Sequence, residues 1–381
     1  MSEPIDGKPA DQVVSAGAHS LAEILSQARC WAECLRDLEA RGKILEIGKQ
    51  FGDRSEWLFT GCGSSYYIAA SAAASWAAIT GRRARAIPAS ELLLFPEPAL
   101  AGAGELVAVL ISRSGHTSEV LRVAQYFGRE KIPTIGISCA SKQKLEELAT
   151  TSVLLPAADE QSTVMTRSFT SMLLVLEYLA ASLASRAELV RGLLALPGLA
   201  ERWLKDLPAV VRGFVAQQHF SDYVCLGQGP YYGLACESSL KLSEMSCSYA
   251  QSFHTLEFRH GPKSVVSGET LISFLLSGAG YEAERDVLEE VKSLGGTTLA
   301  IGSHIDARAR AAADLVIELD CDLPEYACLA PFVFAGQLVG FYTALHKGLN
   351  PDRPRYLSRV VTLKEDELRR QNAAIRSHHC R

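Results

Sequence analysis

Between Glu237 and Pro262 the sequence reads ESSLKLSEMSCSYAQSFHTLEFRHGP. Glu237, Lys241 and Glu244 fall at i, i+4 and i+7, a spacing that places all three on one helical face. The stretch closes on Arg259-His260-Gly261-Pro262, an imidazole held before two residues that end regular structure. Two carboxylates, an ammonium and an imidazole can move protons on and off carbon and oxygen. The plain alternative is a solvated ion pair on a helix surface, worth ~0.2–1 kcal/mol. The frame argues against it. An apolar run, Tyr223 to Leu226, and a glycine turn, Gly227-Gln228-Gly229, lead straight into this helix.

A second group of reactive side chains lies at Ser112-Arg113-Ser114-Gly115-His116-Thr117, between the apolar run VAVLI and the helical pattern TSEVLRVAQYF. A helix N-terminus offers free backbone N–H groups and the positive end of the dipole, and hydroxyls add neutral donors. One Ser or Thr there is an ordinary N-cap worth ~1 kcal/mol. Ser112, Ser114 and Thr117 together, with Ser64 and Ser65 at a parallel turn, exceed capping and suit a phosphate monoester held without a metal. The loop lacks the G-x-x-x-x-G-K-[ST] pattern of a nucleotide P-loop. Gly61-Cys62-Gly63 lacks the third glycine of a dinucleotide fingerprint, because Tyr66 stands there. Neither a metal nor an organic cofactor is expected.

The elements that must carry these groups alternate. Strands are expected at 56–59, 84–87, 106–112, 134–138 and 152–155, then at 223–226, 270–276, 298–301 and 315–319. Helices are expected at 21–48, 65–79, 117–127, 143–148, 166–184, 187–217, 232–245, 282–294 and 324–346. Such alternation predicts an α/β fold of parallel sheets between helices, a flavodoxin-like three-layer αβα arrangement. The plan occurs twice. Gly61 to Tyr66 aligns with Gly227 to Tyr232 at an offset of 166 residues, and Leu110 to Gly115 with Leu275 to Gly280 at 165. The copies have diverged: Ser64 faces Pro230, Ser114 faces Ala279 and Thr117 faces Glu282. The hydroxyl cluster belongs to the first half, the Glu–Lys–Glu helix and its histidine to the second. The division expected is a flexible lead over 1–20, a phosphate-binding domain over 21–200, a catalytic domain over 201–346 and a tail over 347–381 that closes over the site.

Composition bounds the partners. The 381 residues are 48% hydrophobic and 21% charged, with a net charge of −5. That suits well-packed domains and gives no basic footprint for nucleic acid. The apolar runs at 172–183 and 327–345 read as buried helices rather than membrane spans. The first residues, MSEPIDGKPADQ, lack the plan of a signal peptide, so a cytoplasmic location is expected. The 10 cysteines show no C-x-x-C or paired Cys/His ligand spacing and read as reduced thiols, mostly buried. His378-His379-Cys380 reads as a frayed end before a metal site.

From about Leu21 onward the chain resembles the tandem sugar isomerase (SIS) domain family. The likeness rests on S-x-S-G-x-T at Ser112, Ser114, Gly115 and Thr117, and on G-C-G-S-S at Gly61 to Ser65. It rests also on E-x-x-x-K-x-x-E…E-x-x-H-G-P at Glu237, Lys241, Glu244, Glu257 and His260. Within the family the chain is similar to the isomerase half of glutamine–fructose-6-phosphate transaminases. It is closer to the AgaS-type amino-sugar-phosphate deaminase/isomerase group, to which Phe258–Ser264 and Met165–Met172 point. The resemblance implies a phosphosugar substrate bound through Ser64, Ser65, Ser112, Arg113, Ser114, Thr117, Glu257 and Arg359. It implies Glu244 as the base between C1 and C2, His260 as the ring-opening group supplied by a neighbouring subunit, Lys241 as the stabiliser of charge on oxygen, and Glu237 as its positioner. A homodimer with shared active sites follows. Two departures stand out. Pro354-Arg355-Tyr356-Leu357-Ser358-Arg359 ends in arginine where the transaminase has a Schiff-base lysine, a role arginine cannot fill. The stretch before the first sugar domain is too short for an ammonia-generating module. Release of ammonia from galactosamine-6-phosphate or glucosamine-6-phosphate is therefore the expected direction. Plain ketose/aldose isomerisation of the tagatose-6-phosphate type and fructosamine-6-phosphate deglycation are the enzyme alternatives. A phosphosugar-sensing regulator would need an attached basic module and loss of Glu244 and His260.

Overall fold

The computed structural model describes residues 15–361. Ten strands form two five-stranded sheets, and every strand pairing is parallel. In the first sheet β1 (Glu56–Thr60), β2 (Arg83–Ala86), β3 (Leu106–Ile111), β4 (Thr134–Ser138) and β5 (Thr151–Leu154) lie in the order β2-β1-β3-β4-β5. In the second, β6 (Asp222–Gly227), β7 (Tyr249–His254), β8 (Thr270–Leu275), β9 (Thr297–Gly302) and β10 (Leu315–Glu318) lie in the order β7-β6-β8-β9-β10. Each sheet thus repeats the 2-1-3-4-5 order of flavodoxin-like folds, in which ligands sit at the carboxyl ends of the strands where the order reverses. β1, β3 and β4 are buried along their whole length, as strands covered by helices on both faces must be. The three-layer α/β expectation is met in both halves.

The duplication extends to single backbone angles. Gly63 and Gly229, 166 residues apart, share φ +55 with ψ −128 and −127. That left-handed conformation favours glycine. It swings the chain from β1 into the Ser64–Thr80 helix, and from β6 into the Pro230–Ser246 helix. The latter is wedged between the Ser64–Thr80 and Val333–His346 helices. Close approach requires small residues here: a Cβ on Gly233 would lie 2.6 Å from the Tyr67 carbonyl oxygen, and one on Gly336 would lie 2.4 Å from Ser238 Cβ. One apolar core, from Ile24 to Ala344, runs through both halves, and two smaller clusters cover the outer faces of the sheets.

Several elements differ from expectation. β7 was not anticipated, so the second sheet has five strands rather than four. The helix expected over 21–48 is three helices, Ala18–Leu25, Gln27–Ala40 and Lys43–Phe51, the last break falling at Gly42 with φ +64. The helix expected from Pro324 begins only at Val333, after two 3₁₀ turns. The first helix is clasped by the chain beyond the last one. Asp352 accepts from Ser20 N (2.7 Å) and Ser20 Oγ (2.6 Å), and Asn350 Oδ1 accepts from Gly17 N (3.1 Å). No helix among the described residues is long and apolar enough to cross a membrane. His378, His379 and Cys380, and most of the expected lead and tail, lie outside the described residues.

Candidate active site

The Pro230–Ser246 helix presents Glu237, Lys241 and Glu244 on one face, as their spacing requires, but that face is not solvated. Glu237 and Lys241 are fully buried, and the Glu244 side chain is 20% exposed. Lys241 Nζ donates to Glu244 Oε2 and to Ser64 Oγ (3.2 Å), and lies 3.3 Å from Glu237 Oε1. The last contact is an ion pair without hydrogen-bond alignment, leaving both Glu237 oxygens buried short of a full partner. Burial alone would depress the ammonium of Lys241, but the two carboxylates outweigh it and hold its pKa above the usual lysine value. Burial pushes the Glu237 carboxyl up, to about 8, against the pull of Lys241. The result is a charged lysine between one partly exposed carboxylate and one carboxyl sealed in the core. Its bond to Ser64 ties it to the turn after β1, so the cluster bridges the two halves.

The loop after β3 folds on its own hydroxyls. Ser112 Oγ and Thr117 Oγ1 are 2.9 Å apart, Gly115 N donates to Ser112 Oγ (3.1 Å), and His116 N donates to Ser114 Oγ (3.1 Å). Gly115 takes φ +63 to make this turn at the N-terminus of the Ser118–Arg129 helix. Ser64 and Ser65, both buried, open the neighbouring helix at the carboxyl end of β1. The two turns therefore stand side by side at the reversal point of the first sheet, where a ligand is expected in this topology.

Residues 52–182 match the SIS domain family. The match takes in the whole first sheet, from β1 to β5. The chain is 26% identical over 328 residues to the glutamine–fructose-6-phosphate aminotransferase (isomerizing) of Methanothermobacter thermautotrophicus, an alignment covering 84% of this chain and 54% of that one. The chain spans about half the length of the curated relatives it matches. Its structure resembles that of a glucosamine-6-phosphate deaminase from Thermotoga maritima, with TM-score 0.76, 27% identity, and 91% and 100% of the two chains covered. It shares its fold with a tagatose-6-phosphate ketose/aldose isomerase from Escherichia coli, with TM-score 0.77, 23% identity, and 88% and 95% covered. Two SIS-like domains account for the two sheets.

Among the described residues, Arg113, Arg359, Glu257 and His260 make no hydrogen bond or ion pair with the lysine cluster. The Arg113 guanidinium is buried and taken up within the fold, donating to Glu160 Oε2 (3.0 Å) and to the carbonyls of Thr163 (2.8 Å), Val164 (3.1 Å) and Arg359 (3.3 Å). Arg359 pairs with Asp159 at the surface. Glu257 and His260 are exposed, in a 3₁₀ turn and its end beyond the edge strand β7. Among the described residues, no hydrogen bond or ion pair joins either side chain to Lys241. Two residues went unremarked in the sequence. Glu160 is a buried hub, accepting from Arg113, from Thr166 N (2.6 Å) and Oγ1 (2.9 Å), and from Ser168. His254, on β7, stacks on Tyr232 with ring centres 3.8 Å apart. The run of Ser and Thr at 162–170 was a usable signal for the first; nothing local distinguished the second. Among the described residues, no group of three or more His, Cys, Asp or Glu is placed to hold a metal ion.

Proposed function

We propose that this chain converts an amino-sugar 6-phosphate, galactosamine-6-phosphate or glucosamine-6-phosphate, to the ketose 6-phosphate with release of ammonia. The observation that carries the proposal is the buried Glu237–Lys241–Glu244 cluster, joined through Ser64 to the hydroxyl-rich turns of the first domain. Aldose–ketose chemistry needs a base at carbon and an acid at oxygen in one enclosed place. Glu244 is the one member of the cluster with solvent-side access, and it takes the role of shuttling the proton between C1 and C2. The Lys241 ammonium stabilises negative charge on the substrate oxygen. Glu237, sealed behind it, positions that ammonium. Ser112, Ser114 and Thr117, with Ser64 and Ser65, hold the phosphate. The amine leaves from C2 as the ketose forms, and water supplies the oxygen. The likeness to the Thermotoga maritima deaminase over the full length of that chain supports the direction of reaction.

His260 is exposed and makes no bond to the cluster of its own chain, which supports a homodimer in which a second copy contributes the ring-opening imidazole. The direct test is ammonia release from purified protein offered hexosamine 6-phosphates, ketose 6-phosphates and fructosamine 6-phosphate at equal concentrations. Ammonia and ketose 6-phosphate from a 2-amino sugar are expected. Isomerisation without ammonia, or ammonia from fructosamine 6-phosphate alone, would replace the proposal with one of the two other enzyme activities. Binding without turnover would point to a sensor.

A further inference from the structure

The second domain keeps a crevice of its own at the carboxyl ends of β8, β9 and β10, a cavity of about 620 Å³ bordered by Ser277, Tyr281, His304, Cys321 and Glu325. On its border Ser277 and Gly278 are the repeat counterparts of Ser112 and Arg113, yet the donors of this turn are already taken from within. Glu284 accepts from Ser277 N (2.6 Å) and Ser277 Oγ (2.9 Å), and Glu325 accepts from Gly278 N (2.7 Å). An incoming phosphate would meet two carboxylates where it needs donors. The wall of the crevice carries sulfur instead. Cys321, 7% exposed, borders the cavity, Cys328 lies behind it at 1%, and the two Sγ atoms are 3.2 Å apart.

A disulfide needs S–S ≈ 2.03–2.05 Å, so closure asks the sulfurs to move together by only ~1 Å. The outer thiol is set up to ionise first. The Cys328 thiol, the Leu323 N–H, the Ser303 hydroxyl and the nearby His304 favour the Cys321 thiolate and bring its pKa to about 6, against the effect of burial. The thiolate is the attacking species in thiol–disulfide exchange.

We propose that Cys321 and Cys328 are a reversible dithiol–disulfide pair, with Cys321 as the attacking and Cys328 as the resolving thiol toward low-molecular-weight disulfides admitted by this cavity. The Cys321 thiolate attacks one sulfur of the reagent R–S–S–R, the reagent's bond breaks, and one thiolate RS⁻ leaves. Cys328 gives up its proton and attacks the Cys321 sulfur of the mixed disulfide, expelling the second RS⁻. The two thiolates take up the two protons lost by the protein, so two cysteine thiols become one disulfide while the reagent is reduced to two thiols. The assignment is independent of which sugar the first crevice takes.

The test incubates the reduced full chain with oxidised glutathione, alkylates remaining thiols, and maps peptides without reduction. A peptide linked through Cys321 and Cys328 is expected, reversed by dithiothreitol. Cys328→Ser should stop at a glutathione adduct on Cys321, and Cys321→Ser should give neither the link nor an adduct on Cys328. The wild-type map does not depend on either variant folding. A map in which exposed Cys247 carries glutathione while Cys321 and Cys328 stay alkylated would overturn the proposal, as would an adduct on Cys328 in the Cys321→Ser chain.

Discussion

Replacing Glu244 by glutamine separates chemistry from architecture. Glutamine keeps the shape and an acceptor oxygen for Lys241, but loses the ability to take a proton. Lys241 is fully buried, so the surface-pair value does not apply. Removing one partner of a buried pair costs about 3–5 kcal/mol, and with Glu244 itself 20% exposed and Glu237 still beside Lys241 the stability loss should stay below that range. Removal of a general base costs about 10²–10⁴ in rate, or roughly 2.7–5.4 kcal/mol in the barrier. The assay is steady-state ammonia release beside a urea unfolding curve, with substrate binding followed by calorimetry. The expected variant binds substrate, stays folded under the assay conditions and turns over at least about a hundredfold more slowly. In D₂O the parent should place deuterium at C1 of the ketose. A Glu244→Gln enzyme with near-parental turnover would refute the reasoning. So would a rate loss matched by an equal loss of stability, which would make the pair structural.

Four further outcomes are expected. Ser114→Ala should raise KM for the 6-phosphosugar with kcat little changed, since it removes a donor used in ground and transition states alike; the reverse pattern would remove Ser114 from the phosphate site. Mixing inactive Glu244→Gln and His260→Ala chains should restore part of the activity once subunits exchange, and no recovery would mean that each chain builds its own site. Burial pushes the Glu284 carboxyl up from 4.5 to about 7, so its contribution to stability is present below about 4.5 and lost as pH rises through 7. Glu284→Gln should flatten the decline of the unfolding free energy from urea curves over that window, by at most about 3 kcal/mol; an unchanged slope would show that Glu284 is not the titrating group. Activity should survive exhaustive chelation and dialysis, and a loss restored by a divalent ion would require a metal in the reaction.

The sequence revealed most where burial writes a pattern. β1, β3, β4, β6 and β8 are covered on both faces and read as apolar runs, and their spacing exposed the duplication. β7 escaped because it is an edge strand of half-buried, mostly polar residues, whose identity depends on pairing with β6 rather than on local pattern. Spacing put Glu237, Lys241 and Glu244 on one face, but no spacing rule could say that this face is dry; that follows from the two helices packed on either side. Arg113 shows the converse limit. Its place in the loop was plain, yet its direction depends on Glu160 and on carbonyls at 163, 164 and 359, far along the chain.

The clasp between residues 17–20 and 350–352 bears on the order in which the halves are written. Because residues 17–20 and 350–352 touch, a linker running from beyond Asp352 back to before Gly17 could close the chain into a ring that keeps the clasp, and the ring could be reopened elsewhere. The exposed turn at Ser185–Arg186, between the two long connecting helices, is a natural place for new ends. A circular permutant of that kind would be translated with the lysine cluster first and the hydroxyl crevice second. It would still bring Lys241 to Ser64, because the bond between them depends on how the halves pack and not on which one leaves the ribosome first.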